Sequence, residues 1–165
     1  MDEVCMKLEK ALGKVLAARA LSLATAESCT GGLIARRITD VSGASGYFEG
    51  GFVTYSNRAK TLLIGVPAGL IEKHGAVSGE TATEMARGAL NKLKADVAVA
   101  VTGIAGPTGG TPDKPVGTVF IAVATKTKTS VRRYHFTGTR SKIRKHSADE
   151  ALAFVLDHLE GRVEK

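Results

Sequence analysis

The stretch LSLATAESCTGGLIARRIT, residues 21–39, decides the fold, because a strand, a glycine turn and a helix follow one another within it. Leu21 to Ala26 is a short apolar run that reads as a buried strand, and Leu33 to Thr39 reads as the body of a helix. The junction AESCTGG, residues 26–32, places the hydroxyl, thiol and hydroxyl of Ser28, Cys29 and Thr30 directly before Gly31 and Gly32. The first turn of a helix has free backbone N–H groups and a partial positive end, which can hold an anion or a developing oxyanion. A serine at that point can be a nucleophile. Ser28 or Thr30 can also be only an N-cap, with the glycines easing a tight turn; position alone favours the cap.

Outward from this junction, three amphipathic helices are marked by apolar residues on one face. They carry Val4, Leu8, Ala11, Leu12, Val15 and Leu16; then Ala82, Met85, Ala86, Ala89, Leu90 and Leu93; then Ala148, Ala151, Leu152, Val155, Leu156 and Leu159. Further strands are expected at Gly51 to Tyr55, Val97 to Thr102, Val116 to Thr125 and Ser130 to Thr137. Val97 to Val101 is uncharged and continuous, as a central strand covered on both faces should be. The charged run from Val131 to Phe136 pairs naturally with the preceding strand as a hairpin across Lys126 to Thr129. The order helix, strand, helix, strand, helices, three strands, helix argues for a three-layer α/β/α sandwich with a mixed, mostly parallel sheet and one antiparallel member.

Length and composition fit a single domain over residues 1–165, with 44% hydrophobic content and no linker-like segment. No apolar run approaches the roughly 20 residues that span a bilayer, and Met1 to Lys10 is charged where a signal peptide is apolar, so a cytoplasmic protein is expected. Cys5 and Cys29 lack the spacing of a zinc or redox pair, and no HExxH or His/Cys cluster suggests a metal. The net charge of +7 favours an anionic partner, with phosphate the minimal one. Much of the excess lies at Lys126, Lys128, Arg132, Arg133, Arg140, Lys142, Arg144 and Lys145. Such a cluster is a nucleic-acid footprint or an ordinary charged surface, and only Tyr134 and Phe136 interleave it, without a known binding signature.

A second glycine-rich loop, VTGIAGPTGG at residues 101–110, also follows a strand. Ligands collect beyond the carboxyl ends of strands in open α/β sheets, so both loops are expected to border one cleft. Neither loop is GxxxxGK[ST], and GxGxxG is absent, which disfavours a nucleoside triphosphatase and a dinucleotide site. A nucleophilic Ser28 needs a base. His74, His135, His146 and His158 are isolated, and the GxSxG elbow is absent, so a Ser-His-Asp triad has no support. Lysine is the alternative, because burial or a nearby cation lowers its pKa toward neutrality. Lys60, in TYSNRAK after a strand, is one candidate, and by itself it reads as an exposed helix lysine.

The motifs AESCTGG, GFVTYSN with Lys60, GAVS at residues 75–78, VTGIAGPTGG, KPVGTV and FTGTRSKIR occur in the order seen in the CinA C-terminal domain family, and the chain resembles a stand-alone member over essentially its whole length. The resemblance implies the α/β/α fold and the activity of the family's active members. These hydrolyse the carboxamide of nicotinamide mononucleotide, giving nicotinate mononucleotide and ammonia. It also implies a Ser-Lys pair, here Ser28 and Lys60, with no cofactor and no metal. Tyr55 and Thr102 match family positions near the site. Backbone N–H groups at Thr30 and Gly31 are suited to an oxyanion, Gly103 and Gly106 line the second loop, and Arg140 and Arg144 are spaced to face the substrate phosphate. Family behaviour implies a homo-oligomer, a dimer. Nucleic acid is not expected as a partner, nor is a membrane. The alternatives are a competence- or damage-associated accessory protein that binds nucleic acid, and a noncatalytic nucleotide-binding module. Thr108, Arg58, Gly79 and Thr139 depart from the commonest family pattern, which bears on loop geometry and phosphate affinity but leaves Ser28 and Lys60 in place.

Overall fold

The computed structural model describes residues 3–162, with side chains from Lys7 onward, so Val4 and Cys5 lie outside the described side chains. The elements are α1 (Glu3–Ala18), β1 (Leu23–Glu27), α2 (Leu33–Thr39), β2 (Phe48–Val53), α3 (Asn57–Ile64), α4 (Ala68–His74), α5 (Gly79–Leu93), β3 (Val97–Gly103), β4 (Thr118–Thr125), β5 (Thr129–His135) and α6 (Arg140–Leu159). The sheet order is β2-β1-β3-β4-β5. β1 is parallel to β2 and β3, while β4 runs antiparallel to β3 and to β5, so β4 alone opposes the common direction. This is the mixed, mostly parallel sheet that the element order implied.

Strand alternation sorts the core into two unlike halves. Leu23, Val97, Val99, Val101, Val119, Ile121 and Val123 face α1, α2 and α6. Ala24, Ala26, Ala98, Ala100, Ala122 and Ala124 face α3, α4 and α5. On the first side Arg37 of α2 is buried and bonded to Glu9 of α1 and Asp149 of α6, tying three helices together. That network corrects the face expected for α1: Glu9 is buried through its ion pair, while Ala11 is exposed. The second strand also differs from expectation. It ends at Val53, because the Thr54 carbonyl turns to accept from the Lys60 side chain and Ser56 caps α3 by accepting from the Ala59 N–H. Among the described residues no helix is long and apolar enough to cross a membrane.

Candidate active site

Ser28 follows the last residue of β1, and its N–H donates to the Val101 carbonyl of β3 at 3.0 Å, so the nucleophile candidate is pinned beyond the carboxyl ends of two parallel strands. It does not cap α2, which begins five residues later at Leu33 with Gly32 as its N-cap. The loop between is built by two turns. The Gly31 N–H donates to the Ser28 carbonyl at 3.0 Å, and the Leu33 N–H donates to the Thr30 carbonyl at 3.1 Å. In the second turn Gly31 and Gly32 have φ of +57° and +96°, the two positive values of a type I′ turn, which is why two glycines stand here.

The positive end of α2 is already occupied. Glu27, 1% exposed, receives the Ile34 N–H on Oε1 at 2.9 Å and the Ala35 N–H on Oε2 at 3.0 Å. A carboxylate at a helix N-terminus is favourable through the dipole and through the orphan N–H groups. The helix end expected to hold a substrate anion is therefore filled by a residue of the quoted motif itself. Of the loop donors, the Gly31 N–H is committed to Ser28, whereas the Thr30 N–H meets no acceptor among the described residues. The Thr30 hydroxyl is buried without a partner there as well.

Lys60 comes from the opposite layer, on α3. It is 1% exposed, the largest fully buried side chain of the described residues, and its Nζ lies 3.2 Å from Ser28 Oγ and 3.0 Å from the Thr54 carbonyl oxygen. No carboxylate pairs with it among the described residues. Burial lowers its pKa from the ordinary lysine value, because the charged form loses its hydration. Cys29 responds in the reverse sense. Burial dominates and pushes its thiol up to about 12, so it stays protonated at neutral pH, and the thiolate that a cysteine nucleophile requires is absent.

The remaining candidate residues are held by hydrogen bonds to neighbouring loops. Tyr55 is 61% exposed beside Thr54, and its hydroxyl oxygen accepts from Arg140 Nη2 at 3.0 Å. Arg140 Nη1 donates to the Gly106 carbonyl at 2.9 Å, so the first turn of α6 joins Tyr55 to the second glycine loop. Thr102 is buried at the end of β3, and its hydroxyl donates to the Ala76 carbonyl at 2.7 Å. Gly103 packs where a Cβ would strike Val119 and the Thr118 carbonyl. Arg144 donates from Nε to the Cys29 carbonyl at 3.1 Å and from Nη2 to the Thr30 carbonyl at 2.9 Å. Neither arginine meets a carboxylate among the described residues. Thr139, which departs from the family pattern, still caps α6 by accepting from the Lys142 N–H.

The basic segment does not present one face. Arg132 lies over the Phe154 ring at 4.1 Å and bonds Asp157, while Arg133, on the other side of the same strand, lies over Phe120 and donates to the Asp113 carbonyl. Sequence reasoning missed Glu27 as the cap of α2 and the Thr54 carbonyl as the anchor of Lys60. Glu27 had a signal, a carboxylate inside the motif; a backbone carbonyl has none.

Residues 5–159 match the family described as the CinA C-terminal domain. A CinA-like protein of Geobacter sulfurreducens is 53% identical over 148 residues, covering 90% of this chain and 36% of that protein. One of Akkermansia muciniphila is 56% identical over 153 residues, covering 91% and 36%. The chain thus spans about a third of the length of these relatives. The crystal structure of the competence/damage inducible protein CihA from Agrobacterium tumefaciens superposes with a TM-score of 0.93 at 38% identity, over 97% of this chain and 98% of that one. The competence damage-inducible protein A (ComA) from Klebsiella pneumoniae gives 0.92 at 35% identity, over 94% and 97%. With motif order, sheet topology and the match over residues 5–159 in agreement, the chain belongs to the CinA C-terminal domain family.

Proposed function

We propose that the chain is an amidohydrolase that converts nicotinamide mononucleotide to nicotinate mononucleotide and ammonia through an ester on Ser28. The observation that carries the reading is the 3.2 Å approach of Ser28 Oγ to the amine of a lysine buried without a carboxylate. A buried lysine that lacks an anion is held toward its neutral form, and a neutral amine is a base. Lys60 accepts the Ser28 hydroxyl proton as Oγ attacks the carboxamide carbon, and the carbonyl electron pair moves onto oxygen. The Thr30 N–H is the open donor for that oxyanion. As the intermediate collapses, the C–N bond breaks and the lysine ammonium returns its proton to the departing nitrogen, releasing ammonia. Water then attacks the ester while Lys60 takes its proton, the ester C–O bond breaks, and Ser28 recovers the proton as the carboxylate product leaves.

In this reading the phosphate meets the exposed Arg140. Its guanidinium touches only neutral oxygens, so an incoming phosphate displaces no carboxylate. The exposed Tyr55 ring, hydrogen-bonded to Arg140, supports a role for it against the pyridine ring or the carboxamide in this reading. The test is ammonia release by the purified protein from nicotinamide mononucleotide, compared with nicotinamide and the intact dinucleotide. The mononucleotide is expected to be the preferred substrate, and Ser28→Ala to abolish its turnover while circular dichroism stays unchanged. Substantial turnover by a folded Ser28→Ala protein eliminates serine catalysis, and absence of ammonia release by the unaltered protein overturns the reading.

A further inference from the structure

Arg144 lies one helical turn after Arg140 on α6, yet two of its three guanidinium nitrogens are spent on backbone: Nε on the Cys29 carbonyl at 3.1 Å and Nη2 on the Thr30 carbonyl at 2.9 Å. One guanidinium fork thus grips two consecutive carbonyls of the loop that carries Ser28. Among the described residues the one cis peptide bond is Gly106–Pro107, so the Cys29–Thr30 and Thr30–Gly31 peptides are both trans. In a trans peptide the C=O and N–H point in opposite directions. Drawing the Cys29 carbonyl toward Arg144 therefore turns the Thr30 N–H away from α6. Drawing the Thr30 carbonyl the same way sends the Gly31 N–H back to the Ser28 carbonyl, which it reaches at 3.0 Å. One N–H of this pair is consumed in locking the turn, and the other, that of the buried Thr30, is left without an acceptor among the described residues.

Resting on the amidohydrolase reading, we propose that Arg144 is a positioning residue that aims the Thr30 N–H at the oxyanion, and that it is not a ligand of the substrate phosphate. Two features of the chain fit this role. Arg144 meets no carboxylate among the described residues, so its full charge acts on the two peptides, and a carbonyl hydrogen-bonded to a cation polarises its own N–H into a stronger donor. Gly31 also lies opposite the guanidinium: a Cβ there would be in van der Waals contact with Nη2 at 3.4 Å, on a backbone whose positive φ favours glycine. Arg140 and Arg144, alike in spacing, are thereby given different work, Arg140 on the substrate and Arg144 on the loop.

The experiment measures kcat and KM for Arg144→Ala and Arg144→Lys on nicotinamide mononucleotide and on the corresponding nucleoside, which lacks the phosphate. A parallel arm follows acylation of Ser28 by p-nitrophenyl acetate, read as release of p-nitrophenol and by protein mass. The expected result for Arg144→Ala is a fall in kcat of about 100-fold, the cost of misplacing an oxyanion donor, by the same factor on both substrates and with KM little changed. Ester acylation should slow in parallel, and Arg144→Lys should recover part of kcat. A raised KM for the nucleotide alone, with kcat and ester acylation intact, makes Arg144 a phosphate ligand and overturns the proposal, as does unchanged activity. If the unaltered protein fails on the nucleotide, the amidohydrolase reading falls while the ester arm still decides the role of Arg144. Should Arg144→Ala not fold, Arg144→Lys and Arg144→Gln carry the same comparisons.

Discussion

The two faces of the sheet are built from different side chains, and each delivers one half of the proposed reactive pair. The face toward α1, α2 and α6 is Leu, Val and Ile, and it is tied further by the buried Arg37 network; the loop carrying Ser28 leads into this layer. The face toward α3, α4 and α5 is alanine, and α5 answers it with Ala82, Ala86 and Ala89. Gly88 on α5 sits so close to α3 that a Cβ would collide with the Ile64 carbonyl. Small side chains let this helix layer lie against the sheet, and the one charged-type side chain fully buried in it among the described residues is Lys60. The difference teaches that one layer is filled by bulk and holds the serine loop, while the other is filled by close approach and sets where the lysine reaches.

The largest effect is expected from breaking the meeting point of the two layers. Lys60→Arg keeps the charge but cannot release its proton near neutral pH, so it should lose turnover nearly as fully as Lys60→Ala, by about 100- to 10,000-fold. The measurement is kcat at saturating substrate across pH. A largely active Lys60→Arg protein would reduce the lysine to an electrostatic role.

Adjacent residues of β4 sharpen the comparison, since Ile121 and Ala122 point to opposite faces. Ile121→Ala should cost about 2–5 kcal/mol through the cavity it leaves, yet keep kcat within a few-fold while the protein is folded. Ala122→Val should cost about 1–3 kcal/mol by overpacking, and should lower kcat more, because the layer it pushes carries Lys60. Denaturant midpoints and kcat on both variants check this. The reverse ranking in kcat would show that the alanine face does not position the base.

At the exposed end of α6, Arg140→Ala should weaken the nucleotide by about 1.5–3 kcal/mol, or about 10- to 100-fold in affinity, the worth of a charge-assisted contact. The nucleoside lacking the phosphate should be nearly unaffected. Equal losses on both would move Arg140 from the substrate to the Tyr55 and Gly106 contacts it makes in the fold.

The smallest effect is a matter of sign. Lys60 has a folded-state pKa below its ordinary unfolded value of 10.5, chiefly through burial. The unfolded chain therefore binds the extra proton between the two values, and this one group makes stability rise with pH over that interval. Below the folded value its penalty is full and constant; above 10.5 it vanishes. Lys60→Met should thus be more stable than the unaltered protein at neutral pH, with the gain shrinking as pH climbs toward the unfolded lysine value. Urea titrations at several pH values measure it, and a gain that grows with pH would contradict a depressed Lys60. On the proposed activity, kcat of the unaltered protein should rise with pH through the same depressed pKa, as the free amine appears.

Much of the architecture follows from local order along the chain. Apolar runs and amphipathic faces are short-range properties, so the α2 span Leu33–Thr39, the uncharged central strand and the single antiparallel strand were all legible in the residues. So were the motifs that mark the family, because glycines with positive φ, such as Gly31 and Gly32, must stand at fixed places. What the sequence could not decide is which group satisfies which, since that depends on residues far apart meeting at one point. Glu27 takes the N-terminus of α2, Glu9 turns inward to Arg37, the Thr54 carbonyl holds Lys60, and two arginines of one helix turn reach different partners. The sequence by itself determined the layers and the residue types present at the junction. Only the tertiary structure decided that a lysine from one layer is stripped of water and set 3.2 Å from a serine carried by the other, because burial and distance are properties of packing and not of spacing along a chain.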